Sequence, residues 1–238
     1  MKGPVILLML LCLTTRVRGQ DPPADYFPRG MYPSLGVGFG STMVDNGALD
    51  QYLRKHQKIP VSAYDTYGIM RARFFGEKWI PGIDFSVLAK VRSPMYTLSL
   101  GGQLGYVLVR RPKALLTLTG HLIWSESIIN DVQPAGITMP VSFLPYYLRY
   151  IHLSLGLSAT TYVYLMDLKG RRRTSAVYLT GEAGCTFLAT DNTWQYGHMN
   201  GFGRSARFVG QPVSEVPVPG PYTLWVQASV LFSLGFRR

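Results

Sequence analysis

The sequence predicts an all-β protein: an eight-stranded antiparallel up-and-down transmembrane β-barrel with long outer loops and short periplasmic turns. Three observations lead there. Apolar residues recur with a period of two in eight separate stretches, and that period marks a strand with one apolar face. The opposite face of these stretches carries mostly Gly, Ser, Thr, Gln and His, with few charges. The links between stretches tend to alternate between short and long, as they do when turns gather at one end of a barrel and loops at the other.

Residues 1–19 read as a secretory signal peptide. Lys2 precedes an apolar run from Val5 to Leu13, and the small Gly19 stands before Gln20; such a run is too short to span a bilayer as a helix. Leu11 stands before Cys12 where a lipoprotein signal wants a small residue, so Cys12 is expected to leave with the signal. Residues 20–32 form an N-terminal extension, and residues 33–238 the barrel domain. Only Cys185 then remains, which excludes an intrachain disulfide.

In the first strand Leu35, Val37 and Phe39 alternate with glycines. In the second, Met70, Ala72 and Phe74 oppose Arg71 and Arg73. Ile83, Phe85 and Val87 oppose Asp84 and Ser86 in the third. The fourth sets Leu98, Leu100, Leu104, Tyr106 and Leu108 against Thr97, Ser99, Gln103 and Gly105. The fifth sets Leu116, Leu118, Leu122 and Trp124 against Thr117, Thr119 and His121. Ile151, Leu153, Leu155 and Leu157 oppose Tyr150, His152, Ser154 and Ser158 in the sixth. Val177, Leu179, Ala183, Cys185 and Phe187 oppose Thr180, Glu182 and Thr186 in the seventh. The last, Tyr222 to Phe236, is apolar at every even position and mostly small or polar at the odd ones.

An antiparallel sheet of such strands removes its edges by closing. A soluble barrel would scatter Lys, Glu and Asp over its outer face, whereas a membrane barrel turns the apolar face out and the polar face into its lumen. The scarcity of charge on the polar faces selects the membrane barrel. The links GEKWIPG, RRPKA and DLKGRRR are short turns. Those after the first, fifth and seventh strands are long, and only residues 91–94 make a short link at that end.

Removing Lys2, Arg16 and Arg18 from the 24 basic residues leaves 21 against 13 acidic ones, a net charge of +8. Much of the excess falls on the short-turn side, as a basic periplasmic rim of Arg110, Arg111, Lys113, Lys169, Arg171, Arg172, Arg173, Arg237 and Arg238. Turn arginines lack the exposed aromatic interleaving of a nucleic-acid surface, so no nucleic acid is expected. The rim meets lipid headgroups or wall polymer, or simply keeps the turns soluble.

The polar faces place Arg71, Arg73, Asp84, Gln103, His121, Arg149, His152, Glu182 and Gln227 in the lumen as a polar cluster. His121 and His152 lie on neighbouring strands, where with Glu182 they would make a metal site, an acid–base pair or a hydrogen-bonded plug. Ser154 and Ser158 share the face of His152, a pair that nucleophilic catalysis would need in register with an oxyanion donor. Nothing in the sequence marks that register, and the expectation is a plug: no catalytic residue, metal or cofactor. The segment NGALDQYLRKH reads as a short helix with Ala48, Leu49, Tyr52 and Leu53 on one face, lying on lipid, capping the barrel or packing on loops. Trp194, Tyr196, Phe202 and Phe208 lie in the last long loop, to bind a glycan or protein partner or to fold inward.

Several features in order resemble the small outer-membrane barrels of Bacteroidetes-type bacteria, with an OmpA/OmpX-like eight-stranded architecture. They are the signal ending before Gln20, the glycine-rich LGVGFG strand, the helical insertion, and a final strand that follows Gly220-Pro221 and ends in Gly-Phe. The resemblance implies a monomer in the outer membrane of a Gram-negative cell, with outer-membrane lipid and the barrel-assembly machinery as partners. It also implies a terminal aromatic residue, whereas here Arg237 and Arg238 follow Phe236. An eight-stranded lumen is only wide enough for side chains to fill, so the expected role is structural or in surface interaction. A narrow channel, a small-molecule-binding barrel and a lipid-modifying enzyme are the alternatives.

Overall fold

A computed structural model describes residues 26–27, 30–56, 58, 64–89, 95–130, 146–169, 174–190, 192–200 and 207–236. Its elements are β1 (Tyr32–Val44), helix α1 (Gly47–Lys55), β2 (Tyr64–Phe75), β3 (Trp79–Ala89), β4 (Met95–Arg111), β5 (Ala114–Asn130), β6 (Tyr147–Lys169), β7 (Thr174–Leu188), β8 (Trp194–Asn200), β9 (Arg207–Val213) and β10 (Tyr222–Phe236). Eight of the strands close a ring. β5, β4, β3, β2, β1, β10, β7 and β6 pair in that order, and β5 pairs with β6 to complete it. Every pairing in the ring is antiparallel. The fold class read from the sequence is the fold observed: all-β, closed and up-and-down. The two ends of the ring's chain, at β1 and β10, lie side by side, with Ser34 opposite Ser233 and Val44 opposite Thr223.

Side chains alternate across the wall as the period of two requires. Leu35, Phe39, Met70, Ile83, Leu104, Leu122, Leu157, Leu179 and Val226 point outward and are exposed, Phe39 to 72%. Arg71, Arg73, Gln103, His121, Glu182 and Gln227 point inward and are buried. The alternation agrees with the sequence reading except at Arg149, which has the outward parity of Leu155 and Leu157. The wall is thus apolar outside and polar inside.

The links between β2 and β3 and between β4 and β5 are tight turns at residues 76–78 and 112–113. The links on residues 91–94 and 170–173 lie outside the described residues. Ladder irregularities fall toward the short-turn end, between Val107 and Val109 on β4 and between Tyr164 and Met166 on β6. An extra residue in one strand bends it and increases its twist, which helps a small ring close. The long-loop end is built differently. β6 runs 23 residues, and its first residues rise beyond β7, which joins it only from Ser154. There Tyr147–Arg149 pair instead with Gln195–Gly197 of β8, and β9 pairs with β8.

This β8–β9 hairpin lies in what the sequence reading took as an unbroken long loop. Its strands are short and glycine-interrupted, and their backbone groups find partners on an overhanging strand distant in sequence. Trp194 and Tyr196 fold inward, into a buried cluster with Leu49, Leu53, Ile129, Leu148, Tyr150 and Val216. Phe208 packs on Tyr147, and Phe202 lies outside the described residues. Helix α1 presents Leu49 and Leu53 to the same cluster, while Ala48 stays exposed. Asp45 Oδ1 accepts the Gly47 N–H at 3.1 Å, and Asp50 in the first turn with Arg54 and Lys55 in the last complements the helix dipole. Of the readings offered for this helix, packing against neighbouring loop elements is the one observed, on Trp194, Tyr196 and Val216. Among the described residues no helix is long and apolar enough to cross a membrane.

Candidate functional site

The interior of the ring is stratified. At the short-turn end it is aromatic: Phe27 is buried against Phe75, Ile80, Leu115, Tyr162, Tyr178 and Leu231. Phe27 stacks on Tyr178 with centroids 5.0 Å apart. Tyr26 N–H donates to Pro112 O at 3.0 Å, and Tyr178 Oη donates to Tyr26 O at 3.0 Å. The segment ahead of β1 therefore stoppers the barrel from below. The sequence reading filled the lumen with polar groups throughout, so this layer corrects it. Phe75, Tyr162, Tyr178 and Leu231 share the inward parity of the polar residues, and their size was the signal.

Above this layer lies an ionic one. Arg73 grips Asp84 with both terminal nitrogens, at 2.5 and 2.9 Å. Arg71 Nη2 bridges Asp84 Oδ2 at 3.3 Å and Glu182 Oε2 at 3.2 Å, and its Nη1 donates to Thr180 Oγ1 at 3.3 Å. Glu182 also accepts from Gln227 Nε2 at 2.6 Å and from Ser158 Oγ at 2.6 Å. Gln227 in turn accepts from Tyr67 Oη at 3.0 Å. Two guanidiniums face two carboxylates, so the formal charge closes within the layer, and most of its polar atoms are hydrogen-bonded, Arg71 Nε and Arg73 Nε being without a partner among the described residues. Those are the conditions under which buried charge is tolerated.

His121 Nε2 lies 2.7 Å from Ser158 Oγ and 3.1 Å from Glu182 Oε1. A Ser–His–acid relay uses the two imidazole nitrogens separately, one for the acid and one for the nucleophile. Here serine and carboxylate meet the same nitrogen, and the serine hydroxyl donates to the carboxylate. The arrangement is a hydrogen-bonded triangle, which differs from a relay in which the imidazole stands between serine and acid.

Of the nine residues predicted for the lumen cluster, Arg71, Arg73, Asp84, His121, Glu182 and Gln227 form this layer. Gln103 is buried opposite His121, but its Oε1 makes no hydrogen bond among the described residues. Arg149, predicted for the lumen, is instead on the outward face at the long-loop end: it shares the parity of the exposed Leu155 and Leu157 and sits on Glu126 at 2.6 Å and over the Phe208 ring at 5.0 Å. His152 stacks on Tyr150 at 5.0 Å. The register sets His121 opposite Gly156 and His152 opposite Ser125, which separates the two imidazoles by four residues, about 13 Å along the wall. They share no site. The sequence reading put Thr180 and Ser229 on the polar face without naming them in the cluster; the residues it missed are Tyr67 and Trp225.

Trp225 lies over the ionic layer. Its ring meets His121 edge-on at 5.3 Å, and it crosses Gly184, where a Cβ would come within 2.8 Å of Cζ2. Beyond it a cavity of about 190 Å³ occupies the long-loop half of the lumen, reaching Asn46 and Pro219–Pro221. Of the basic rim, Arg110 is committed to structure. It donates to Gly76 O at 2.9 Å, Glu77 O at 3.2 Å and Phe27 O at 3.4 Å. Arg111 and Lys113 are exposed, the latter 5.6 Å from the Tyr26 ring, and Lys169 ends β6. Arg171, Arg172, Arg173, Arg237 and Arg238 lie outside the described residues. Among the described residues no group of three or more His, Cys, Asp or Glu is placed to hold a metal ion.

No protein-family model matches this chain, and no curated protein does. What the chain shares with the small barrels it resembles is architecture: a closed eight-stranded antiparallel ring.

Proposed function

We propose that this protein is a plugged outer-membrane β-barrel of a Gram-negative envelope, structural or surface-interacting in role and without catalytic activity. The observation that carries this reading is the outward face, on which every strand of the ring displays large apolar side chains, while Arg71, Arg73, Asp84 and Glu182 are turned inward and the outward Arg149–Glu126 pair lies at the long-loop end. Burying one such side chain is worth about 1.5–3 kcal/mol. Summed over the belt, the mismatch with water reaches tens of kcal/mol, beyond the roughly 5–15 kcal/mol that holds a domain folded. Hydrocarbon resolves that mismatch. Aromatic pairs stand toward both ends of the belt. Trp79 packs on Tyr106 at 4.9 Å near the short turns, and Phe187 faces Tyr222 near the long loops. Such residues favour the bilayer interfaces.

The aromatic and ionic layers block the lumen, which disfavours bulk diffusion. In this reading residues 1–19 direct export and the barrel-assembly machinery inserts the chain as a monomer. Lipid covers the belt, and α1 with the β8–β9 hairpin offers the outer surface to a glycan or protein partner. Cell fractionation with heat-dependent gel mobility is the test. The expected result is an outer-membrane protein that migrates faster unboiled than boiled; recovery in the soluble periplasm with unchanged mobility overturns the proposal.

A further inference from the structure

The cavity above Trp225 has a wall chemistry that the plugged-barrel reading leaves unused. All eight strands of the ring contribute to it. Its wall is rich in hydroxyls, and two pairs are cross-strand couples: Thr97 Oγ1 with Ser127 Oγ at 2.9 Å, and Ser99 Oγ with Ser125 Oγ at 2.8 Å. A hydroxyl couple uses one of its two hydrogens internally, so each couple keeps one donor and several lone pairs for a guest. Two further polar atoms of the wall are buried without a hydrogen-bond partner among the described residues, Trp225 Nε1 and His152 Nδ1. A buried indole N–H normally finds a partner, and leaving it without one costs about 1–3 kcal/mol.

The charge of the wall is equally selective. Asp65 and Asp84 line it, and among the described residues no Lys or Arg does. Asp84 is held by both Arg71 and Arg73. An anion entering here would meet carboxylate without a cation of its own, whereas a neutral molecule with alternating O–H donors and acceptors would not. Size narrows the class. A cavity of about 150 Å³ accommodates one six-membered ring, so 190 Å³ takes a single substituted ring and not two. The aromatic surfaces of Trp225 and Tyr150 suit the C–H face of such a ring. The ionic and aromatic layers close the other end, which leaves the long-loop end for entry.

We infer that the long-loop half of the lumen is a binding site for one small uncharged polyhydroxylated ring, a monosaccharide or a cyclitol. The site is a property of the lumen and stands whether or not the outer face meets lipid, so failure of the fractionation test leaves it untouched.

The test is calorimetric titration of the folded full-length protein in detergent with D-glucose, D-galactose and myo-inositol, and with glucose 6-phosphate as the anionic counterpart. Two variants are titrated alongside, each first checked for folding by far-ultraviolet circular dichroism and its urea unfolding transition. Trp225→Phe deletes the indole donor, and Ser125→Leu fills the cavity and breaks a hydroxyl couple. The expected result is saturable binding of at least one neutral ring, weakened about tenfold or more in either folded variant, with glucose 6-phosphate bound far more weakly. Absence of saturable heat for all three neutral probes up to about 100 mM overturns the inference. So does unchanged affinity in the variants, or equal affinity for the phosphate. If one variant does not fold, the other decides.

Discussion

Glu182→Ala removes the carboxylate on which four side chains converge: Ser158 and His121 at Oε1, Arg71 and Gln227 at Oε2. The guanidinium of Arg71, a residue only 3% exposed, is left with Asp84 at 3.3 Å, a partner it already shares with Arg73. Removing one member of a buried pair costs about 3–5 kcal/mol, because the other charge stays desolvated. Glu182→Gln keeps the volume and lets the Ser158 hydroxyl turn round as an acceptor, so it loses mainly the charge and costs about 1.5–3 kcal/mol. Urea unfolding of the refolded protein, followed by far-ultraviolet circular dichroism, reads both. With a slope of about 1–3 kcal/mol per molar urea, the alanine variant should lower the midpoint by roughly 1–5 M. Gln103→Ala is the control, equally buried but with its amide oxygen unbonded, and should cost no more than about 1 kcal/mol. Adding Arg71→Met to Glu182→Ala restores charge balance, so the double variant should recover about 0.5–3 kcal/mol relative to the sum of the singles. If Glu182→Ala shifts the midpoint no further than Gln103→Ala, the ionic layer is not what holds the ring's centre.

Leu100→Arg places a charge on the outward face at mid-height of β4, where Leu100 is 50% exposed. In a membrane barrel it should cost about 2–4 kcal/mol and reduce the heat-modifiable fraction, whereas a water-facing wall would tolerate it. Arg110→Ala releases the carbonyls of Phe27, Gly76 and Glu77 and should loosen the stopper by about 1–2 kcal/mol. Limited proteolysis ahead of β1 should then run about tenfold faster or more, and an unchanged rate would mean that Phe27 seats without this tie. Burial, reinforced by the Glu215 carboxylate, pushes the Tyr52 phenol up to about 12 from its ordinary 10. Because the folded value is the higher one, the stability that Tyr52 contributes is fully present below pH 10 and is lost as pH rises through about 12. The phenolate difference spectrum between the protein and Tyr52→Phe should centre near the upper value; a midpoint at 10 would refute the packing of the helix against that carboxylate.

The strands were legible because each carries its own alternation, a local signal that needs no knowledge of partners. Part of the ionic layer was legible for a related reason. Arg71 faces Asp84 across a tight turn at residues 76–78, and a short turn fixes register. Glu182 and Gln227 join only when the ring closes, and their contacts follow from topology. The hairpin escaped because its stability comes from the overhang of β6 and from the cluster around Trp194, both distant in sequence. Trp225 was in view as the one large aromatic on the small-residue face of β10. Its parity said that it pointed inward, and its size should have said that it roofs something.

Parity and height are separate pieces of information, and the alternation supplies only the first. A slip of one residue between neighbouring strands turns every side chain to the other face and is excluded by the pattern itself. A slip of two leaves all faces intact and shifts the strand by about 7 Å along its neighbour. The reading of His121 and His152 as neighbours rested on parity alone. What places His121 opposite Gly156 is shape: a Cβ at Gly156 would lie 2.8 Å from Thr186 Cγ2 and 3.3 Å from His121 Cβ. Moved by two residues either way, Ser154 or Ser158 would have to occupy that space. The glycine thus fixes the level at which imidazole, Ser158 and Glu182 meet, and with it the floor of the hydroxyl-lined cavity above. The long-loop half of the lumen exists because this register leaves hydroxyls and His152, not the charged layer, at its height.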